Sequence, residues 1–339
     1  MKIATLQFSP QLGPVDENIA RADSILSSCS DSLHELDLLV LPELAFTGYN
    51  HPSLQSITPY LEPTAAGPST RWAIRTARRL GCLVTVGYPE LFSPTPPPPS
   101  TLKPTMLNLG PEPETYYSLT AYNSTVTLNP RGEIVAHYRK THLYYTDEVW
   151  AQESPDGFTT TALNFPPRER TSAHADAESL RAGVVTHTTT QAICMDLNPR
   201  HFIPCPPPSA LCKHVLATKT TLLVLSTAWL THLPSSALLS QPAEFDMDTL
   251  AYWCNALEPL IDGDREVICV FANRCGEEAG RVVPNVLAKE EDEEERDGDG
   301  AGVRYAGSSW IGKVGGGKGK LVVGGILGRS EEAVLVVEV

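Results

Sequence analysis

The sequence is short of positive charge: its 339 residues include 26 Lys and Arg against 40 Asp and Glu, a formal net charge of −14. A protein that binds the phosphate backbone of nucleic acids needs a basic surface, so the composition argues against that class. Long apolar runs are also missing, since none approaches the ~18 residues of a membrane-spanning helix. The first eight residues alternate like a strand and lack the apolar segment of a secretory signal. We therefore expect an intracellular, cytoplasmic protein without nucleic-acid or membrane partners.

A dense cysteine framework is absent as well, because the eight cysteines are scattered along the whole chain. His201, Cys205, Cys212 and His214 are metal-ligand types, but their spacing matches no zinc pattern and prolines crowd it. We therefore expect free thiols and no metal site. The hydrophobic content of 42% is enough for a sizeable core and excludes a disordered chain.

Apolar strand-like and amphipathic helix-like segments alternate along the chain, which predicts a single α/β domain over residues 1–339. The predicted helices are residues 16–26, 69–80 and 245–260. The predicted strands are residues 3–8, 36–41, 82–88, 116–128, 133–139, 191–195, 221–226, 267–272, 304–311 and 321–326.

Three stretches have the composition of inserted loops. Residues 93–113 hold eight prolines, residues 156–181 are polar and aperiodic, and residues 289–302 are acidic and interrupted by glycine. We expect exposed loops at all three, and the Pro-rich and acidic ones are candidates for contacts with partner proteins.

Three reactive side chains follow directly after predicted strands. Glu43 comes after residues 36–41, Lys140 after residues 133–139, and Cys194 ends the strand at 191–195. Ligands bind at the carboxyl ends of strands in open α/β sheets, so these side chains can converge although they are distant in sequence. Taken alone, each has a simpler interpretation: a buried small hydrophobe for Cys194, a surface charge for the others.

Together the three side chains have complementary chemistry. A carboxylate can remove the proton of a thiol, and a neighbouring ammonium favours the thiolate. The ammonium can also face an oxyanion formed from an amide carbonyl, and the protonated carboxyl can donate to a leaving amine. This set is suited to amide hydrolysis through a covalent thioester.

The local sequences around these residues resemble the nitrilase superfamily of carbon–nitrogen hydrolases. The resemblance rests on residues 38–44 (Leu-Leu-Val-Leu-Pro-Glu-Leu), 138–143 (Tyr-Arg-Lys-Thr-His-Leu) and 194–196 (Cys-Met-Asp), in that order. Residues 273–278 and 305–309 resemble its C-terminal half. The resemblance implies a four-layer α-β-β-α sandwich and a reaction that needs no metal or organic cofactor. Glu43 would be the base, Cys194 the nucleophile, and Lys140 with a backbone N–H near Met195 the oxyanion donors.

Within that superfamily, residues 140–150, 194–199 and 227–230 are most similar to the fungal protein N-terminal amidases. This resemblance implies deamidation of N-terminal Asn and Gln of polypeptides to Asp and Glu, with release of ammonia, ahead of an N-degron pathway. The Pro-rich loop and the acidic loop are not part of the family pattern.

The superfamily also has a second glutamate that orients the lysine. Glu153, in Gln152-Glu153-Ser154, is the better match to that motif. Glu148 is the alternative, and its simpler interpretation is a surface charge beside Trp150.

Residues that bind and recognise the substrate are harder to predict. Asp196 is suited to pair with the α-ammonium of an N-terminal residue, and equally suited to cap the turn after the strand. Trp229, Tyr49 and Asn273 are candidate pocket walls, with a role in the core or in loop scaffolding as the alternative.

Two other functions remain open from the sequence. One is an amidase of the same superfamily that acts on a free small amide, such as an ω-amide or an N-carbamoyl compound. The other is a catalytically silent scaffold that binds partners through the Pro-rich or acidic loop.

Overall fold

The structure is a computed structural model, and it describes residues 1–93, 119–165, 184–280 and 302–339. The predicted loops at 93–113 and 289–302 lie almost wholly outside the described residues, as does the part of the third loop after residue 165. All eight cysteines are free thiols. No helix in the described ranges is both long and apolar enough to cross a membrane.

Fifteen strands and eight α-helices make up the described parts of the chain. The strands are β1 (Lys2–Gln7), β2 (Leu38–Val40), β3 (Glu62–Pro63), β4 (Leu83–Phe92), β5 (Thr120–Leu128), β6 (Ile134–Arg139), β7 (Thr160–Phe165), β8 (Val185–Ile193), β9 (Leu222–Thr227), β10 (Val267–Asn273), β11 (Glu277–Glu278), β12 (Val303–Arg304), β13 (Trp310–Val314), β14 (Leu321–Ile326) and β15 (Ala333–Glu338). The helices are α1 (Val15–Ser28), α2 (Leu54–Ile57), α3 (Pro68–Leu80), α4 (Tyr145–Glu148), α5 (Ala210–Thr218), α6 (Ser235–Ser240), α7 (Met247–Ala256) and α8 (Glu258–Ile261).

Two mixed sheets form the framework. The first has the order β15-β1-β2-β4-β5-β6, with β3 beside β4, and the second has the order β14-β13-β10-β9-β8-β7. The strands β1, β2 and β4 are mutually parallel, and so are β8, β9 and β10. Of these, β2, β9 and β10 are short, largely apolar runs buried on both faces, which is the pattern expected when a sheet is covered on each side.

Three apolar layers separate four layers of structure. One lies between the first sheet and helices α1 and α3, and a second lies between the second sheet and helices α5, α7 and α8. The third is formed by side chains of both sheets, including Ile3, Val40, Leu83, Val224 and Val270. The molecule is therefore an α-β-β-α sandwich, and the predicted fold class is confirmed.

Helix α3 illustrates how the local sequence determines one outer layer. Pro68 occupies its first turn, and Gly81 ends it in the left-handed conformation with φ of 65°. Trp72, Ala73 and Ala77 lie on its buried face against the first sheet. The four arginines of the helix are exposed on its other face: Arg71, Arg75, Arg78 and Arg79.

Four predicted elements differ from the structure, and one is the predicted strand at 304–311, which is two strands, β12 and β13, in different sheets. The polar stretch at 156–181 includes strand β7, which pairs along its whole length with β8, so this part of the predicted loop is wrong. The predicted strand at 191–195 ends at Ile193, and the predicted helix at 245–260 is two helices, the second with Pro259 in its first turn. Thr160 and Thr161 of β7 are only partly buried and Ala162 is exposed, so composition alone does not distinguish this edge strand from a loop.

Polar bonds cross between the two sheets near the ends of the strands. The Ser226 hydroxyl of β9 donates to the carbonyl oxygen of Leu41, which follows β2, over 2.8 Å. The Gln191 amide of β8 donates to the Thr127 hydroxyl of β5 over 2.5 Å. Both contacts are buried, so they hold the sheets in one relative position beside the residues described next.

Candidate active site

Glu43 lies in a tight turn after β2 and is fully buried. The turn packs on β4: the Ala45 N–H donates to the Gly87 carbonyl oxygen over 3.1 Å. A Cβ at Gly87 would lie 2.7 Å from the Pro42 oxygen and 2.9 Å from the Glu43 Cα, so only glycine permits this approach. Leu44 has φ of 43°, a strained conformation for a branched residue. The backbone thus holds the Glu43 carboxylate in one place.

Lys140 follows β6 and is also fully buried. Its backbone N–H donates to the Asn123 carbonyl oxygen of β5 over 2.8 Å, which continues the strand pairing past the end of β6. Its Nζ lies 2.6 Å from Glu43 Oε1 and 2.5 Å from Asp147 Oδ2. An ammonium buried between two carboxylates is fixed in position and in its charged state.

The second carboxylate at the lysine is Asp147, a residue that the sequence analysis did not predict. It lies in α4, and its Oδ2 also accepts the Tyr144 N–H over 3.0 Å. The helical turn directs Asp147 inward, whereas its neighbour Glu148 lies outside and faces His201 at 3.1 Å. The spacing of seven residues from Lys140 was the available signal, but a four-residue helix is too short to give a periodic pattern.

Glu153 does not reach the lysine, so its predicted role as the orienting glutamate is wrong, and so is that of the alternative, Glu148. The Glu153 carboxylate forms an ion pair with Arg200 at 2.7 Å, and 29% of its side chain is exposed. Only the backbone of this segment touches the site, since the Ser154 N–H donates to the Lys140 carbonyl oxygen over 2.9 Å. The segment therefore lies beside the site through its backbone, while the Glu153 side chain is at the surface.

Cys194 begins a 3-10 turn directly after β8 and faces Glu43 and Lys140. Its φ of 39° is left-handed, an uncommon conformation for a non-glycine residue that is seen at strained functional turns. The backbone N–H of Ala228, after β9, faces the thiol and also donates to Glu43 Oε2 over 2.9 Å. The structure therefore brings Glu43, Lys140 and Cys194 together at the ends of strands from both sheets.

Electrostatics at the site favour a neutral thiol and a carboxylate that can exchange a proton. Burial raises the pKa of Glu43, Asp147 raises it further, and the Lys140 ammonium lowers it, with a resulting pKa of about 7. Burial and the Glu43 charge raise the pKa of the Cys194 thiol, which Lys140 only partly opposes. Burial lowers the pKa of Lys140, but the two carboxylates outweigh it and raise that pKa above its usual value. The lysine therefore stays charged, and the thiol needs a base.

Both carboxylate oxygens of Asp196 accept hydrogen bonds from groups of the protein. Its Oδ1 accepts the N–H groups of Thr141 and His142 at 3.0 and 2.7 Å, and its Oδ2 accepts the Tyr138 hydroxyl and the Ile193 N–H, both at 2.8 Å. Four donors leave no free lone pair for the α-ammonium of a substrate. Of the two sequence interpretations, the structure supports the capping one: Asp196 ties the Cys194 turn to the end of β6.

The three predicted wall residues have different surroundings. Trp229 packs beside Cys194, and its ring is tilted against that of Tyr252 with the ring centroids 5.4 Å apart, so it borders the thiol. The Tyr49 hydroxyl donates to Asp147 over 3.4 Å, which makes Tyr49 a support of the carboxylate. Asn273 is buried and accepts from the Trp229 N–H over 2.8 Å, so it braces the loop after β9 and does not line a pocket.

Asn123 is the second polar residue of the site that the sequence analysis missed. Its Nδ2 donates to Glu43 Oε1 over 2.7 Å and to Asp147 Oδ1 over 3.0 Å. The predicted hairpin contained the signal, because pairing of Ser124 with Arg139 places Asn123 beside Lys140. Within the described ranges, no group of three or more His, Cys, Asp or Glu side chains is arranged to hold a metal ion.

Comparison with known proteins gives a consistent result. The family model described as carbon-nitrogen hydrolase matches residues 2–196. A protein N-terminal amidase of Schizosaccharomyces pombe is 29% identical over 291 residues, which cover 82% of this chain and 86% of that protein. A protein N-terminal amidase of Saccharomyces cerevisiae is 31% identical over 206 residues, 60% of this chain and 39% of that protein. In fold, the chain is similar to a crystal structure of N-terminal amidase with an Asn-Glu-Ala peptide, with a TM-score of 0.78, 21% identity and coverage of 100% and 97% of the two chains.

Proposed function

Because the chain belongs to the carbon-nitrogen hydrolase family, we propose that it is a protein N-terminal amidase that hydrolyses the side-chain amide of N-terminal Asn and Gln. The observation that carries the proposal is the contact of Glu43 with Lys140, opposite Cys194. The preference for protein N-termini is supported by the similarity to the two yeast amidases named above. We further propose that the chain acts as one catalytic domain. The place of the reaction ahead of an N-degron pathway stays a prediction.

The proposed reaction begins with proton transfer from the Cys194 thiol to Glu43 Oε2, the carboxylate oxygen that shares the Ala228 N–H with the thiol. The thiolate attacks the carbon of the side-chain amide and forms a tetrahedral intermediate. Lys140 supplies a fixed positive charge for the oxyanion, and the Met195 N–H, in the first turn of the 3-10 segment, is the second donor.

Collapse of that intermediate breaks the carbon–nitrogen bond. Protonated Glu43 gives its proton to the leaving nitrogen, so that ammonia departs and a thioester on Cys194 remains. Glu43 then takes a proton from water, which attacks the thioester carbonyl, and returns the proton to the departing thiol. The products are ammonia and a side-chain carboxylate, and the enzyme returns to its starting state without a cofactor.

Substitution of the nucleophile tests the mechanism. Cys194→Ala should abolish ammonia release from a peptide that begins with Asn and should prevent formation of a trapped thioester, detectable as added mass on the peptide that contains residue 194. A kcat within tenfold of wild type would show the mechanism to be wrong. Absence of a thioester in wild type, with no ammonia release from any amide, would favour the silent scaffold.

Substrate class is decided by comparison of three amides. Ammonia release should be fast from an Asn-initiated peptide, lost on N-acetylation of that peptide and slow from free asparagine. Preference for free asparagine would instead support the small-molecule amidase. A parallel Gln-initiated peptide measures the Asn-to-Gln preference in the same assay.

A further inference from the structure

Asn123 and Lys140 both donate to the same two carboxylates, sharing Glu43 Oε1 and taking different oxygens of Asp147. Lys140 Nζ donates to Glu43 and Asp147, and so does Asn123 Nδ2. All four side chains are fully buried. Two donors that each bridge two acceptors form a closed ring, which fixes the Glu43 carboxylate more tightly than either donor alone.

The orientation of the Asn123 amide follows from its partners. Ionised carboxylates only accept hydrogen bonds, so the amide must present its NH₂ to them. This leaves Oδ1 buried with no hydrogen-bond partner among the described residues. A buried carbonyl without a partner destabilises the fold. The presence of such a group here is explained if its NH₂ has a function, namely to donate hydrogen bonds to the carboxylates, which an apolar residue could not do.

We propose that Asn123 is a positioning residue of the amidase reaction, which keeps the Glu43 carboxylate ionised and aligned as the base for Cys194. The inference deepens the proposed function and rests on Glu43 acting as the base. Asn123 acts through Glu43 and Asp147 and has no contact with the thiol, so its effect is on the base and not on the nucleophile.

Charged or titratable groups face Glu43, and Asn123 differs from them because it is neutral and acts only through a hydrogen bond. Asp147 and Cys194 oppose its ionisation, and Lys140 favours it. The Asn123 hydrogen bond is a further contribution that lowers the pKa of Glu43. Asn123 is neutral, so its removal changes the hydrogen bonding of the base without change in the net charge of the site. Loss of one charge-assisted bond is expected to raise the pH at which Glu43 becomes a base by about one unit.

Two substitutions remove the amide, Asn123→Leu with similar volume and Asn123→Ala without added bulk. The first readout is kcat/KM for ammonia release from an Asn-initiated peptide as a function of pH. The second is the rate at which iodoacetamide alkylates Cys194, followed by mass spectrometry of the peptide that contains it, which needs no substrate. In both, the acidic limb should move up by about one pH unit, and at pH 6 alkylation should be about tenfold slower than in wild type.

Thr85→Val is the matched control. Thr85 lies on β4, is buried and shares a 2.8 Å hydrogen bond with the Thr127 hydroxyl of the same sheet, but its hydroxyl does not bond to the carboxylates. This variant should lose thermal stability without a shift of the acidic limb.

Each outcome decides the proposal. An acidic limb within about 0.3 pH unit of wild type in a folded Asn123 variant would overturn it. Failure of both Asn123 variants to fold, judged by circular dichroism, would assign the residue to folding and overturn it as well. If wild type does not hydrolyse the peptide, the proposed function fails, while the alkylation profile still tests the role of Asn123.

Discussion

Replacement of Asp147 with Asn tests which carboxylate holds the buried ammonium of Lys140. Asp147 Oδ2 lies 2.5 Å from Lys140 Nζ, and both side chains are completely buried. Asp147→Asn keeps the shape but removes one of the two charges that surround the ammonium. Glu153→Gln removes the charge of the residue that the sequence motif favoured, which pairs with Arg200 near the surface. If Asp147 holds Lys140, Asp147→Asn should lose most activity and Glu153→Gln little. If Glu153 holds it, the reverse is expected.

The expected cost of Asp147→Asn follows from the burial of the ion pair between Asp147 and Lys140. Removal of one partner from a buried ion pair costs about 3–5 kcal/mol. Lys140 keeps Glu43 as a second partner, so the lower end applies, and Asp147→Asn should lose about 3 kcal/mol of folding free energy. The ammonium also loses a fixed position, and misplacement by about 1 Å can lower the rate about 100-fold, so we expect a loss in kcat/KM of that order. An exposed ion pair contributes little, so Glu153→Gln should stay within about threefold of wild type.

The pH dependence of the activity that remains in Asp147→Asn provides an independent test. Asp147 raises the pKa of Glu43, so its neutralisation should lower that pKa and move the acidic limb of the remaining activity below pH 7. The assay is ammonia release from an Asn-initiated peptide over pH 5–9, with thermal melts of each variant to exclude unfolding. A greater loss in Glu153→Gln than in Asp147→Asn would refute the assignment of the second carboxylate.

Three further predictions use other contacts. Wild-type kcat/KM should fall as the pH drops through about 7, because Glu43 then becomes protonated and cannot act as a base; a flat profile from pH 5 to 8 would contradict this. Gly87→Ala should lower kcat at least about tenfold, because its Cβ would displace Glu43, whereas Gly81→Ala at the end of α3 should lower only the melting temperature. Asp196→Asn should lower kcat and stability, because an amide NH₂ would face N–H donors, with little change in KM; a selective rise in KM for peptides would restore its predicted contact with the α-ammonium.

Strand ends were the most informative feature of the sequence. Glu43, Lys140 and Cys194 each follow a strand, and parallel strands bring their carboxyl ends to one edge, so the grouping could be predicted without knowledge of any contact. The layered fold could be predicted too, because short apolar runs such as β2 and β9 are typical of sheets covered on both faces. The catalytic roles of these side chains stay predictions.

Side-chain direction could not be predicted in the same way. Asp147 and Glu148 are adjacent, yet one is buried against Lys140 and the other lies at the surface, because consecutive side chains of a helix point about 100° apart. Asp196 illustrates a related limit: a carboxylate beside a nucleophile is suited to bind a substrate, and only the positions of four backbone and side-chain donors assign it to the turn. Such choices depend on neighbours that are distant in sequence.

Glu43 and Cys194 follow strands of different sheets, and this has a consequence for how activity can be lost. The Ser226 hydroxyl bonds across the interface to the carbonyl oxygen of Leu41, two residues before Glu43. A small slip of one sheet over the other would leave each sheet and its helices intact but would separate the carboxylate from the thiol. Enzymatic activity is therefore a more sensitive measure of the alignment of the two sheets than any spectroscopic measure of secondary structure. Substitutions at this interface are expected to yield folded protein without catalysis.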